Sequence, residues 1–148
     1  MTQMGLTDVR EIRDLAYRYA QAVDRGDGEA YANLFLDDAV LEGSGYHSQG
    51  RAQLLKIPGF TSSRYLKTFH AVYNHLITVD GERASGEVYC QAHHLSEAEG
   101  GLSDLVMFIR YQDDYVLTPD GWRFARRELL VDWTETRPAA PHTPPKRG

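Results

Sequence analysis

An α+β fold, with N-terminal helices covering one face of a curved antiparallel sheet, is the class this sequence predicts, on three observations. Apolar residues near the N-terminus recur at helical spacing. From residue 68 onward, long segments alternate with the period of strands. These segments end at Asp80-Gly81 and Pro119-Asp120-Gly121, which are turn sequences. Helices in front and strands behind are segregated, as α+β domains require.

The first helix opens at Asp8, read as an N-cap, with Glu11 three residues on in the capping-box position. Ile12, Leu15, Ala16, Tyr19, Ala22 and Val23 form its apolar stripe, with Tyr17, Ala20 and Asp24 along the flank. Asp24 falls in the last turn, where the macrodipole favours cations. It is a local cost with no local cause. Asp27 caps a second helix, predicted over 29–35, whose Tyr31, Leu34 and Phe35 supply a core face. Asp37-Asp38 reads as a turn, 39–42 as a short strand, and Gly43-Ser44-Gly45 as its end. A third helical piece is predicted over 51–57, stopped by Pro58-Gly59. Thr61-Ser62-Ser63 then reads as loop.

The stretch 68–81 is the longest run of aromatic and β-branched residues in the chain. As a regular strand it puts His70, Val72, Asn74, Leu76 and Thr78 on one face. Phe69, Ala71, Tyr73, His75, Ile77 and Val79 fall on the other, the apolar one. The face with His70 reads either as a pocket wall or as a solvent face. Three further strands follow over 84–95, 102–117 and 122–133, the first burying a small apolar set that includes Cys90 and ends in His94. Four twisted strands of this length make a cone, closed on its side by the first helix and leaving a deep apolar pocket at its open end. Residues 1–136 form one domain, and 137–148 read as a flexible, proline-rich tail.

A net charge of −5 and a pI near 5.6 exclude the basic stripe that nucleic acid requires. No segment has the length of a membrane span, and the N-terminal residues lack the apolar core of a signal peptide. Cys90 is the single cysteine, so there is no internal disulfide, which fits a reducing, cytoplasmic setting.

Several spaced residues carry a family resemblance. Tyr19-Ala-Gln-Ala-Val-Asp24-Arg-Gly-Asp27 ends the long helix, and Phe35-Leu36-Asp37-Asp38-Ala39 follows. Then come His70-x-x-x-Asn74-x-x-Ile77-x-Val79-Asp80-Gly81, Arg110-Tyr111-x-Asp113 and Gly121-Trp122-Arg123-Phe124. Over residues 7–134 the chain resembles the SnoaL-like branch of the nuclear transport factor 2-like superfamily, with its cystatin-like cone. That branch includes scytalone dehydratase, hexachlorocyclohexane dehydrochlorinase, bile-acid dehydratase and polyketide cyclases. The resemblance implies that Asp24 pairs with a catalytic histidine, His70. It puts His94 near a second pocket histidine of scytalone dehydratase, with His93 the alternative by one residue of register. Tyr19 precedes Asp24 by the spacing of a tyrosine and aspartate in the bile-acid enzyme. Two positions depart from the relatives: Val23 stands where scytalone dehydratase has tyrosine, and Ala92 near a bile-acid dehydratase carboxylate.

Abstracting a proton beside a carbonyl, or β to a leaving group, needs a base that works near neutral pH, and histidine is the usual one. A carboxylate on its far nitrogen fixes the tautomer and stabilises the imidazolium. His94, Tyr19, Tyr17 or Asn74 could then donate to the developing oxyanion, Asn74 having a strand bulge as its alternative role. With Cys90 on the same small apolar face, these residues make up the expected substrate site. Cys90 itself reads as a buried, inert thiol. His70 and His75 point to opposite faces of a regular strand, so no metal site is expected. The expected activity is that of a cofactor-independent lyase or isomerase, a dehydratase or cyclase, acting on a hydrophobic cyclic ketone or alcohol. The alternative is a non-catalytic subunit that binds a small molecule or assembles with an oxygenase. Tyr73, Ile77, Met107 and Trp133 are expected to cover an apolar outer face in a homo-oligomer, dimer or trimer.

Overall fold

The computed structural model describes residues 5–142. Two helices lead, α1 (Leu6–Asp24) and α2 (Gly28–Ala32), followed by the hairpin β1 (Phe35–Gly43) and β2 (Tyr46–Gln49). Two short helices, α3 (Arg51–Leu54) and α4 (Ile57–Arg64), precede four long strands. These are β3 (Lys67–Asp80), β4 (Arg83–Ala98), β5 (Gly101–Thr118) and β6 (Gly121–Ala139). All six strands form one sheet in the order β2-β1-β6-β5-β4-β3. The fold is α+β as expected, with two differences in the sheet. It has six strands rather than five, and β1 runs parallel to β6 while every other pair is antiparallel.

The predicted stripe of α1 is buried: Ile12, Leu15, Ala16, Tyr19, Ala22 and Val23 lie in the core with β-strand residues such as Val88, Ile109 and Phe124. Its start differs from expectation. Gly5 is the N-cap and makes no side-chain cap bond, so Asp8 and Glu11 are free for another task. Asp8 accepts from the Trp122 indole N–H at 3.0 Å and Glu11 from the Trp122 backbone N–H at 2.9 Å. The two acids tie the helix to the β5–β6 turn. Asp27 does cap α2, accepting from Ala30 N–H at 3.0 Å.

Phe35 begins β1 rather than ending a helix, and Asp37-Asp38 lie within that strand, where its register against β6 shifts. Pro58 does not stop a helix but starts one, in the first turn of α4, where its missing N–H costs nothing. Thr61-Ser62-Ser63 are consequently helical. At the other end, β6 runs on to Ala139, with Arg137, Pro138 and Ala139 paired to β5. Of the predicted tail, residues 143–148 lie outside the described residues.

A bulge in β3 changes which side chains face inward. Val72 pairs with Cys90, but His75 pairs with Val88, so β3 spends one extra residue there. Before the bulge Thr68 and His70 face the helix, and after it His75 and Val79 are the buried ones. The single-face alternation expected for this strand is therefore wrong beyond Val72. Ile77 packs against the core, as does Met107, so neither belongs to an outer apolar face. Tyr73 and Trp133 do stand exposed, with Trp133 stacked on Phe108 at 4.2 Å between ring centroids.

His75 enters a buried polar chain that the sequence reading did not anticipate. The Arg127 guanidinium binds Asp113 through two hydrogen bonds, 2.8 and 3.2 Å, with both side chains almost fully buried. It also lies over the rings of Tyr111, Phe124 and Tyr19, at 3.7 to 4.6 Å. Tyr115 O–H donates to Asp113 at 2.7 Å, and its oxygen contacts His75 Nε2 at 2.9 Å. Since the tyrosine proton is already given to Asp113, His75 Nε2–H is the donor in that second bond. Gly86 makes room for this contact. A Cβ there would stand 2.8 Å from Leu76 O and 3.2 Å from both His75 Nε2 and the Tyr115 hydroxyl.

Burial, with Arg127 and Arg13 adding repulsion, pushes the His75 imidazole down from 6.5 to about 4. A histidine depressed in the folded state binds fewer protons than in the unfolded chain between those values. Its contribution is thus complete above pH 6.5 and lost as pH falls toward 4. Thermal or urea unfolding should show the wild type losing about 2 kcal/mol more than His75→Gln between pH 7.5 and pH 5. Parallel pH profiles for the two proteins would refute this account of His75.

Candidate active site

Asp24, at the C-terminal end of α1, meets β3 through its side chain alone. Its Oδ1 accepts from Thr68 Oγ1–H at 2.8 Å and contacts His70 Nδ1 at 2.7 Å, and its Oδ2 accepts from the His70 backbone N–H at 3.0 Å. Burial works to raise the Asp24 carboxyl, but the bonds from His70 and Thr68 outweigh it and hold the group below its ordinary value. Asp24 is therefore a carboxylate, able only to accept. The proton between the pair sits on His70 Nδ1, and the neutral ring carries its lone pair on Nε2. The side chains of His70 and Asp24 are 7% and 23% exposed, so the pair is sheltered yet not sealed off. The acid on the unfavourable end of α1 has its reason in these bonds.

His94 stands beside His70, the two rings edge to face with centroids 5.8 Å apart. The register settles which of the adjacent histidines points inward, because Thr68 pairs with His94 and His70 with Ala92. His93 turns the other way, to Asp104 Oδ2 at 2.6 Å. The Nδ1 of His94 contacts the Leu105 carbonyl at 3.0 Å and must donate to it, leaving the Nε2 lone pair free. Burial lowers the His94 imidazole below its ordinary value, so it is neutral near pH 7.

His94 also lines a mostly apolar cavity of about 640 Å³. Its other walls include Met107, Tyr46, Tyr65 and the α4 side chains Ile57 and Phe60. Tyr65 packs on the His94 ring at 4.7 Å. The phenols of Tyr46 and Tyr65 are hydrogen-bond donors at neutral pH. A second hollow of about 500 Å³ lies along α1, lined by groups such as Glu11, Asp14 and Arg18. Neither histidine is among its lining residues.

The structure thus brings Asp24, His70 and His94 together, and puts the remaining expected substrate contacts elsewhere. Tyr17 is half-exposed on the outside of α1. Asn74 is exposed, carried out by the bulge in which it sits. Tyr19 is buried among Tyr31, Tyr111 and Phe124, with its phenol raised by burial. Cys90 is buried in the same core, and burial pushes its thiol up to about 11. Sequence reading missed Tyr46 and Tyr65 because it missed β2 and α4. On the face of Ile57 and Phe60 the next positions are Thr61 and Arg64, both polar, so α4 carries almost no periodic signal in the sequence. Among the described residues no three His, Cys, Asp or Glu side chains converge as a metal ion would need. No helix there is long and apolar enough to cross a membrane.

The sequence profile of the SnoaL-like domain matches residues 4–128. An uncharacterised protein of Mycobacterium tuberculosis is 31% identical over 128 residues, covering 82% of this chain and 84% of that one. Among solved structures, a candidate scytalone dehydratase of Novosphingobium aromaticivorans superposes with a TM-score of 0.81 at 25% identity, over 100% of this chain and 99% of that one. An NTF2-like protein with a cystatin-like fold from the same organism gives a TM-score of 0.73 at 28% identity, over 86% and 83%.

The hydrogen-bond directions fix a pattern of tautomers that nitrogen-15 NMR of the imidazoles can read. When neutral, His70 and His94 should both be Nδ1–H, and His75 should be Nε2–H. A His70 signal in the Nε2–H form would mean that its ring does not donate to Asp24.

Proposed function

The chain belongs to the SnoaL-like domain family, and from that membership we propose a lyase or isomerase of dehydratase or cyclase type, acting on a hydrophobic cyclic ketone or alcohol. The observation that carries the reading is the 2.7 Å contact of the Asp24 carboxylate with His70 Nδ1, one ring away from a histidine that faces an apolar cavity. Three donors of β3 converge on this sheltered carboxylate, and the lone pair of His70 Nε2 points away from it.

In this mechanism His70 Nε2 takes a proton from the carbon next to the substrate carbonyl, and Asp24 stabilises the imidazolium that forms. Tyr46 and Tyr65 donate to the oxygen on which charge develops. His94, neutral with a free Nε2 lone pair, accepts from a substrate hydroxyl and so orients the ring. For a dehydration, the electron pair of the broken C–H bond forms the double bond as hydroxide leaves from the β carbon. His70 returns its proton to that hydroxide as water. The similarity to a candidate scytalone dehydratase supports elimination of water among the reaction types.

Exchange of the α protons of a bicyclic ketone such as 2-tetralone in heavy water, followed by NMR, tests the base without the natural substrate. Asp24→Asn should lower the enzyme-dependent rate by roughly two to four orders of magnitude, and His70→Ala at least as much. The double variant should be little worse than the worse single one, because the pair acts as a unit. Circular dichroism should show both variants folded. Wild-type exchange in both would leave the dyad structural and favour the binding or oxygenase-assembly subunit.

The same reading takes the protein as a homo-oligomer, with Phe69, Tyr73 and Trp133 covered on the outer face of the sheet; all three are more than half exposed in the single chain. Light scattering at micromolar concentration should give at least twice the 16.8 kDa of one chain. A monomeric mass would remove the oligomer from the proposal.

A further inference from the structure

The cavity holds a charge pattern that proton abstraction leaves unused. Lys56 is the N-cap of α4 and Arg64 its last residue, and both side chains line the hollow that His94 faces. Among the described residues no carboxylate lines it, and neither cation makes an ion pair. Other cations, such as Arg13, Arg18 and Arg83, are likewise without an ion pair among those residues; what sets Lys56 and Arg64 apart is that they share the lining of one cavity.

Arg64 suits its place, since a helix C-terminus favours a cation. Lys56 sits at a junction, one residue past the C-cap of α3 and at the N-cap of α4, so the two helix ends around it pull in opposite directions. An anion in the cavity meets two cations and no competing acid, whereas a wholly apolar ligand leaves both unpaired.

We propose that the substrate carries an anionic oxygen group, a carboxylate or a comparably acidic enol, held by Lys56 and Arg64 while its rings fill the space between Phe60 and His94. The assignment rests on the reading above only in taking this cavity as the substrate site. A volume of about 640 Å³ is ample for a drug-sized ring compound. The anion then acts as a handle at the α4 end, remote from the carbon that reacts near the histidines.

Two probes of equal shape, 2-naphthoate and the neutral 2-naphthamide, separate charge from fit. Titration calorimetry at low ionic strength should show the carboxylate binding the wild type about five- to ten-fold more tightly. Salt at about 0.5 M should erase most of that preference, a readout that needs no variant. Lys56→Gln/Arg64→Gln should bring the two probes level, both positions being exposed and outside the core. Equal affinity of wild type for the probes, a preference that survives the double variant, or no binding of the carboxylate at millimolar concentration would overturn the proposal. Asp24→Asn should keep the preference for carboxylate. Loss of exchange in Asp24→Asn without any anion preference would therefore sink this inference alone. An anion preference with unchanged exchange would sink the dyad and leave the handle standing.

Discussion

The hydrogen bonds from β3 to Asp24 are the constraint on which the rest of the site depends. An apolar stripe brings α1 to the sheet, but oily contact tolerates sliding by a fraction of a turn. A carboxylate with three directed partners does not. Thr68, the His70 backbone and the His70 ring together fix where the helix ends along the strand. The same bonds orient the imidazole, so docking of the helix and orientation of the ring are one event. Charge-assisted bonds in a half-buried setting are strong enough to serve both purposes.

A second polar system lies in the same core and serves a different end. Arg127, Asp113, Tyr115 and His75 form a closed chain among aromatic rings, with no exposed member. Replacing such a buried pair wholesale with apolar groups often costs nothing, whereas removing one partner strands a charge at about 3–5 kcal/mol. Its use here is geometric: it holds β5 to β6 and reaches β3 through His75. The sheet that carries His70 and His94 is thereby made stiff from the closed end of the cone. The cavity side is left with the loosely held side chains of α4, of which Phe60 is more than half exposed.

Much of this was legible in the sequence, for identifiable reasons. Long amphipathic elements announce themselves, so α1 and the four long strands show by periodicity, while the pairing of Asp24 with His70 is what the family resemblance implies. What stayed hidden depended on single residues or on short elements. Tyr46–Gln49 is too brief to show a period. Pro58 signals a helix start as readily as a helix stop, and only the tertiary setting decides. Asp113 and Arg127 each look like ordinary polar residues on a strand, since nothing local reveals that they face each other across β5 and β6. Asp8 and Glu11 formed a plausible capping box, but Trp122 offered them better donors.

The extra residue in β3 has a consequence for how this chain tolerates change in length. Tyr73 and Asn74 are both exposed there, so substitutions at either position touch little. Losing one residue is another matter. It would restore strict alternation through the strand, and the two halves of β3 could no longer both present their proper sides. If the His75 end kept its buried bond to Tyr115, Thr68 and His70 would rotate outward and release Asp24. If the His70 end kept Asp24, His75 and Val79 would be expelled from the core. The surplus residue works like a splice between two reading frames, one written for the bonds to Asp24 and one for the buried chain through His75, and each is intelligible only while the splice is intact.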